Sequence, residues 1–340
     1  MSKTLVTGGT GFLGRHLVQQ LLDQGEEVCL LVRPTSDTTG LEGVEQRQGD
    51  VTDSDSMRRA LEGCSRVYHL AAETRDDRSV AEYTATNVEA VESLLRLSFE
   101  MGVTRFVHTS HYFSLGRTGE PRMPPDQIAE EYWTHDPSDM HDAHEQSKYD
   151  AENEVNQCVS LGQPVIAMIP TMMYGPEMKP VTKRESLSSG NRIVAMLADH
   201  GAGQFSGLPG TGEQLWNLVY VEDVARGHRA AMDAMAEDGA DWPPADWQHW
   251  HYILGGENVP ARQLFSVFGK HAGVAEPRFL GGGGLLGRFM GRAKSRFLMD
   301  SHSWAYSSAM AEADFDYSAR NLEEGMESTV SWMKTSGLLS

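Results

Sequence analysis

The residues from Leu5 to Val32 constrain the fold more than any other part of the 340-residue chain. Leu5-Val6-Thr7 is a short apolar strand. Gly8-Gly9-Thr10-Gly11-Phe12-Leu13-Gly14 follows, then a helical pattern through Leu22 with punctuation at Gly25. Val28-Cys29-Leu30-Leu31-Val32 is a continuous apolar run, the mark of a strand buried on both faces. Strand, glycine turn, helix and strand in this order make a βαβ unit. Gly8 permits the tight turn, Gly11 lets a pyrophosphate approach backbone N–H groups at the helix start, and Gly14 allows helix and strand to pack closely. A glycine pattern alone is weak, and a merely structural turn is the alternative. Its place between strand and helix favours dinucleotide binding.

The end of the second strand selects the cofactor. An acidic residue there binds a ribose 2′-hydroxyl in NAD-binding units. Here the position holds Arg33, followed by Pro34, Thr35 and Ser36. A guanidinium with neighbouring hydroxyls suits a 2′-phosphate, so Arg33 and Ser36 favour NADP(H) over NAD(H). A solvated arginine at a strand end is the plainer alternative.

Strand and helix continue to alternate. Residues 44–48 read as a third strand leading into Asp50-Val51, 57–61 as helix, and 66–72 as a fourth strand ending in small residues that leave room for a nucleotide. An amphipathic helix over 87–99 and a fifth strand over 105–110 follow. This order predicts an α/β fold with a Rossmann-type doubly wound parallel sheet and a ligand beyond the carboxyl ends of its strands. At roughly 150 residues per domain, the length fits two domains, or one large α/β domain with a lobe attached.

Composition narrows the function classes. Lys+Arg 29 against Asp+Glu 48 leaves a net charge of -19. Such a surface repels phosphate backbones and anionic lipid, which argues against nucleic acid and membrane as partners. High solubility is the blander meaning of the same charge. Cys29, Cys64 and Cys158 lie far apart with no C-x-x-C spacing. They read as small buried hydrophobes in a reducing compartment, not as a disulfide framework or a zinc–thiolate site. No run approaches the roughly eighteen apolar residues of a spanning helix. Lys3–Thr7 reads at once as a strand and not as a signal peptide, so a cytoplasmic location is expected.

The Thr7–Gly14 turn, the Asp50-Val51 step and His69-Leu70-Ala71-Ala72 together resemble the extended short-chain dehydrogenase/reductases, the NAD-dependent epimerase/dehydratase family. The resemblance continues through Pro170-Thr171-Met172-Met173-Tyr174-Gly175-Pro176, Asn217-Leu218-Val219-Tyr220-Val221-Glu222-Asp223-Val224-Ala225 and Tyr252-Ile253-Leu254-Gly255-Gly256-Glu257-Asn258, so it spans most of the chain. Leu31-Val32-Arg33-Pro34-Thr35-Ser36 and Asn321-Leu322-Glu323-Glu324-Gly325 are similar to the dihydroflavonol-reductase-like and hopanoid-associated sugar epimerase group. The resemblance implies a cofactor site along Gly8, Thr10, Gly11, Phe12, Leu13, Gly14, Asp50, Val51, Leu70, Ala71, Ala72, Thr109, Lys148, Pro170, Met172 and Met173. It also implies a homodimer formed through two helices packed as a bundle. In this family a lysine holds the nicotinamide ribose and lowers the pKa of a tyrosine, the tyrosine exchanges the proton, and a serine or threonine orients the substrate oxygen.

Two positions depart from that pattern. Tyr-x-x-x-Lys puts both side chains on one helix face, and here the segment is His144-Glu145-Gln146-Ser147-Lys148. Lys148 matches the lysine, whereas His144 stands in the tyrosine position and Tyr149 falls on another face. Counting back from Gly116 puts His111 where the serine belongs, with Ser110 one residue early and pointing the other way if the strand is still extended. Imidazole titrates near neutral pH, so His144 can act as acid or base, Lys148 would favour its neutral form, and neutral His111 can donate a hydrogen bond as a serine would. Imidazole is shorter than phenol, which moves the proton-transfer point back by a few ångströms. Three readings follow: a working His144/Lys148/His111 site, a cofactor-binding protein with little redox turnover, or a redox-neutral lyase or hydrolase on the same scaffold. His108, His111, His135, His141 and His144 crowd beside Asp136, Asp139 and Asp142, and His141-x-x-His144 has helical ligand spacing. Nothing resembles H-E-x-x-H and acidic loops usually face solvent, so no metal is expected.

The second half carries no further glycine fingerprint. Residues 177–189 read as a loop, 192–198 as helix, 201–212 as a glycine-rich hairpin or lid, 216–220 as a strand returning to the main fold, and 221–234 as helix. Two tryptophans, Trp242 and Trp247, sit beside prolines in a surface loop, and Gly281–Gly284 reads as a hinge. The expected organisation is an NADP-binding domain over 1–175, with 213–254 returning to it, and a smaller α/β carboxyl-terminal substrate lobe from 176–212 and 255–340. Tyr112, Phe113, Met172, Met173, Phe205 and Trp216 are candidate walls of the cleft between them. They favour a small apolar alcohol or ketone over a nucleotide sugar, and a carbonyl reductase or epimerase/dehydratase relative.

Overall fold

The computed structural model describes residues 3–118, 128–132, 142–204, 208, 211–235, 250–279 and 303–339. The expectations placed on Phe205, on Trp242 and Trp247, on the Gly281–Gly284 hinge, and on His135, His141, Asp136 and Asp139 lie outside these residues. The strands are β1 (Lys3–Thr7), β2 (Val28–Val32), β3 (Glu45–Gln48), β4 (Cys64–His69), β5 (Arg105–Thr109), β6 (Val165–Pro170), β7 (Met172–Tyr174), β8 (Leu215–Tyr220), β9 (His251–Leu254) and β10 (Glu257–Pro260). Seven of them form one sheet in the order β3-β2-β1-β4-β5-β6-β9, with every neighbouring pair parallel. The chain winds outward one way from β1 to β3, then restarts beside β1 at β4 and winds the other way. That reversal opens a crevice between the carboxyl ends of β1 and β4, where a doubly wound sheet takes its ligand.

Apolar runs explain why these strands sit inside. All five residues of β2 and all six of β6 are buried, as a sheet covered on both faces requires. The α-helices up to residue 272 are α1 (Phe12–Asp23), α2 (Ser54–Leu61), α3 (Val80–Tyr83), α4 (Ala90–Glu100), α5 (Ala143–Ser160), α6 (Arg192–Gly201), α7 (Val221–Ala234) and α8 (Ala261–Ala272), and Ala309–Phe315 and Leu322–Thr335 follow. Helices α1 and α7 lie together on the sheet face of Val6, Leu30, Val107 and Ile166. Helices α2, α4 and α5 cover the opposite face with Leu5, Cys29, Val67 and Phe106. Cys29 and Cys64 are buried free thiols on that side, and Cys158 is half-buried.

Three sequence expectations shift. The fourth strand stops at His69, opposite Thr7 where β1 ends; Leu70 N–H closes the ladder on Thr7 O (3.1 Å), and the small residues Ala71 and Ala72 lie in the loop beyond. The helix expected over 87–99 starts earlier, since α3 runs through a π-turn at Thr84–Glu89 into α4. The strand expected over 216–220 does not return to the main sheet. It is the centre of a second sheet, β10-β8-β7, and among the described residues of this part of the chain β9 is the strand that rejoins the first.

This second sheet, α6, α8 and the helix Leu322–Thr335 enclose their own apolar core. Asn217 ties it together. Fully buried, its Nδ2 donates to Gly256 O (3.2 Å), Asn258 Oδ1 (2.8 Å) and Tyr306 O (3.0 Å), and its Oδ1 accepts from Thr171 Oγ1 (2.7 Å) and Gly256 N–H (2.9 Å). Among the described residues, no helix is long and apolar enough to cross a membrane. Replacing Asn217 with Leu fits the volume but leaves the Thr171 hydroxyl and the Gly256 N–H without their acceptor. Stability should fall by about 3 kcal/mol or more, read as a lowered urea midpoint. An unchanged midpoint would show that Asn217 is dispensable.

Candidate active site

The glycine turn ends β1 in the crevice. Gly8 has φ +71, and a side chain there would meet the Leu70 and Ala71 backbone at 2.6 Å. A Cβ on Gly14 would fall 2.2 Å from Gly8 O, so α1 rests directly on the turn. Gly11 is the N-cap residue of α1, with no side-chain cap and no acidic residue in the first turn. The first-turn N–H groups and the positive dipole end therefore face the crevice, an arrangement that takes a pyrophosphate. Thr10, Phe12 and Leu13 lie on the same turn and first helical residues. The turn fits a dinucleotide on its own geometry.

Arg33 is exposed at the end of β2, in a turn closed by Ser36 N–H to Arg33 O (2.9 Å) and Arg33 N–H to Ser36 Oγ (3.2 Å). Asp50 follows β3 and accepts from Thr52 N–H (3.0 Å), with buried Val51 beside it. The backbone of Leu70 and Ala71 lies against Gly8 beyond the end of β4, with Ala72 next in the chain. Thr109 stands at the end of β5, but its hydroxyl is taken up by His228 Nε2 (2.9 Å) on α7. Pro170, Met172 and Met173 come at the β6–β7 step, where Met172 is buried in the second core.

Helix α5 brings His144 and Lys148 in, capped at Asp142, whose side chain accepts from Glu145 N–H (2.8 Å). Both residues are on the buried face, one turn apart. Burial, then Lys148 and Arg192, push the His144 pKa down to about 3. The ring is thus neutral at ordinary pH, and imidazolium chemistry gives way to hydrogen bonding. Its Nε2 has no partner among the described residues. Lys148 is buried, which lowers its ammonium to about 8 against the raising effect of Glu152. A group of that kind titrates near neutral pH and is a natural proton donor.

His111 caps the short turn Tyr112–Ser114, and its Nδ1 accepts from Phe113 N–H (3.2 Å). The proton of the neutral ring therefore sits on Nε2. Burial, then His144 and Lys148, hold its pKa well below the usual histidine value. The rings of His111 and His144 lie 5.8 Å apart. Ser110, by contrast, faces α5, where its hydroxyl bonds to Glu152 and approaches Ser114 Oγ (3.4 Å). Among the expected wall residues, Phe113 packs edge-on to His144 at 5.3 Å and Tyr112 stacks on His111 at 4.4 Å, whereas Trp216 is buried in the second core.

One participant gives no signal in the sequence. Tyr83 lies face to face with His144 (5.0 Å, 4° between planes) while its hydroxyl donates to Arg75 O. Thr7, His69, His108 and His251 occupy one row across the sheet on the α5 side, with Ala167 between the last two. His69 Nδ1 meets Thr7 Oγ1 at 2.6 Å, and the His69 and His108 rings are 5.5 Å apart. Neither nitrogen of His108 has a protein partner among the described residues. No three His, Cys, Asp or Glu side chains among the described residues gather as metal ligands.

These features define an α/β protein of the dinucleotide-binding class. The chain belongs to the NAD dependent epimerase/dehydratase family, whose model matches residues 4–242. It is 30% identical over 279 residues to a Synechocystis sp. protein described as a dihydroflavonol 4-reductase, covering 80% of this chain and 73% of that protein. It is 30% identical over 282 residues to the sterol demethylase protein B of Methylococcus capsulatus, covering 81% and 76%. The structure resembles the UDP-glucose 4-epimerase of Thermus thermophilus in complex with NAD, with a TM-score of 0.73, 22% identity, and 98% and 99% of the two chains covered.

Burial has a measurable consequence for acid stability. His69 and His144 are held down to about 3, His228 to about 4 and His108 well below its usual value, chiefly by desolvation, while an unfolded chain titrates near 6.5. Between those values the unfolded chain binds more protons, so stability is present above about 6.5 and lost as pH falls toward 4. Each ring contributes at most about 1.4 kcal/mol per pH unit. Urea midpoints should drop steeply from pH 7 to pH 5, and His108→Leu should soften the drop. An equal slope in that variant would remove His108 from this account.

Proposed function

We propose that the protein is an NADP(H)-dependent oxidoreductase that interconverts a small apolar ketone and its alcohol at a His144/Lys148/His111 site. One observation carries this reading: a buried Lys148 one helical turn from His144, whose neutral ring lies 5.8 Å from the neutral ring of His111. The bound cofactor supplies the hydride. The chain supplies everything that happens at the substrate oxygen. His111 donates from Nε2, its other nitrogen being occupied, and His144 offers a second ring nitrogen without a partner among the described residues. Two neutral donors stabilise an oxygen as charge grows on it, most effectively in a buried site. Lys148 holds the proton that ends on the alcohol oxygen, passed across the adjacent His144. Oxidation of the alcohol runs the same path in reverse.

Apolar walls at Tyr112, Phe113 and Met173 favour an apolar substrate, and likeness to a sterol demethylase protein B points the same way. Arg33, exposed at the end of β2 where an acidic residue would suit NAD, supports NADP(H). A cofactor domain and a substrate lobe, with β9 as the strand that rejoins the first sheet, and the homodimer read from the sequence complete the proposal. A second reading, a cofactor-binding protein with little turnover, rests on how closely Tyr83 and Phe113 cover the His144 ring.

Fluorescence titration should show NADPH binding at least about tenfold tighter than NADH, a difference of roughly 1.4 kcal/mol, and Arg33→Ala should erase it. A preference kept by that variant refutes the cofactor assignment. In a screen of apolar ketones, His144→Phe should lose about a hundredfold or more in kcat. Reduction should slow as pH rises through about 8, where Lys148 gives up its proton. Tight NADPH binding with no turnover on any ketone would instead select the second reading.

A further inference from the structure

Arg15 is one of the largest fully buried side chains of the molecule, 2% exposed on the first turn of α1. Its guanidinium is spent on main-chain carbonyls. Nε donates to Thr10 O (3.1 Å), Nη1 to Thr39 O (2.6 Å) and Nη2 to Asp37 O (2.5 Å). The carboxylate of the exposed Asp37 is 4.0 Å away and is itself engaged by Thr39 N–H (3.1 Å). Thr10 belongs to the glycine turn, and Asp37 and Thr39 belong to the loop that continues the Arg33–Ser36 turn. One planar fork thus fastens the element that takes the pyrophosphate to the element that faces the adenosine ribose.

A lysine cannot do this, because a single ammonium on a flexible stem lacks the rigid fork that meets three carbonyls at once. The loop needs such a tether. Pro34, Thr35 and Asp37 to Gly40 are mostly exposed, and Gly40 has φ +81. Besides Arg15, the loop is held by Leu41 N–H to Thr38 O (2.9 Å), Gly40 N–H to Glu42 Oε1 (3.0 Å), Gln46 Nε2 to Leu41 O (3.0 Å) and the burial of Leu41 in the core, and none of these hydrogen bonds reaches the glycine turn.

We infer that Arg15 is a specificity-determining residue for the adenosine end of the cofactor, acting through the loop it ties to the glycine turn. This rests on the cofactor reading above. Arg15 is a positioning residue: it places Arg33 through the loop, without itself touching the cofactor.

The test is the ratio of NADH to NADPH dissociation constants, measured by fluorescence for the wild type, Arg33→Ala, Arg15→Lys and Thr39→Gly. Competition by adenosine 2′,5′-bisphosphate and adenosine 5′-phosphate isolates the adenosine end. Arg15→Lys should cut the ratio about tenfold, with NADH affinity changing little. Thr39→Gly leaves the core intact and loosens the tethered loop, so it should move the ratio the same way by less, and it serves if Arg15→Lys does not fold. Ratios unchanged in both variants overturn the inference, even while Arg33→Ala erases the preference and the cofactor reading stands. A wild type without NADPH preference sinks that reading alone, and Arg15 is then judged by whether its variant still shifts the ratio.

Discussion

The contact between Gly14 and Gly8 O sets the geometry from which the rest follows. No side chain fits between α1 and the turn that launches it, so the helix lies against the end of β1 and its amino terminus opens into the crevice. Packed that closely, α1 offers Leu17, Leu21 and Val18 to the core it shares with α7. The same seating brings Arg15 behind the loop after β2. One backbone approach thereby sets where the amino terminus of α1 opens, which face of the sheet α7 covers, and how the loop after β2 is anchored.

The dinucleotide half is legible in the sequence because its signals are local. Gly8, Gly11 and Gly14 act within one turn, and the buried runs of β2 and β6 announce themselves residue by residue. The strand over 216–220 reads as part of the first sheet because its composition is that of any buried strand. Its true pairing is decided by Asn217, whose partners come from three other parts of the chain. The site is half legible. Four-residue spacing places His144 and Lys148 on one face of α5, while the burial that leads the lowering of the His144 pKa involves Tyr83 and Phe113, and Arg192 adds to the effect of Lys148, all three from distant segments. Arg15 gives no signal inside the fingerprint, since a guanidinium bonded to three main-chain carbonyls leaves no complementary charge in the sequence.

Desolvation dominates the chemistry of this site. For His69, His108, His111, His144 and His228 it is the largest cause of a lowered pKa, and for Lys148 it overrides the carboxylate of Glu152. Under the proposed reading this divides the labour: neutral His144 and His111 orient and polarise, and Lys148 titrates, where a phenol would combine both tasks.

The order of strands has a consequence for synthesis of the chain on the ribosome. β6 is apolar along its whole length and is flanked by β5 on one side and β9 on the other. Its first partner precedes it, but its second is encoded after β7, α6, β8 and α7. Until His251–Leu254 emerges, the nascent sheet ends in an uncovered apolar edge able to pair with another chain. Conditions that slow elongation between Pro170 and His251, or remove the chaperones that shield such edges, should reduce the yield of soluble protein without altering the finished fold.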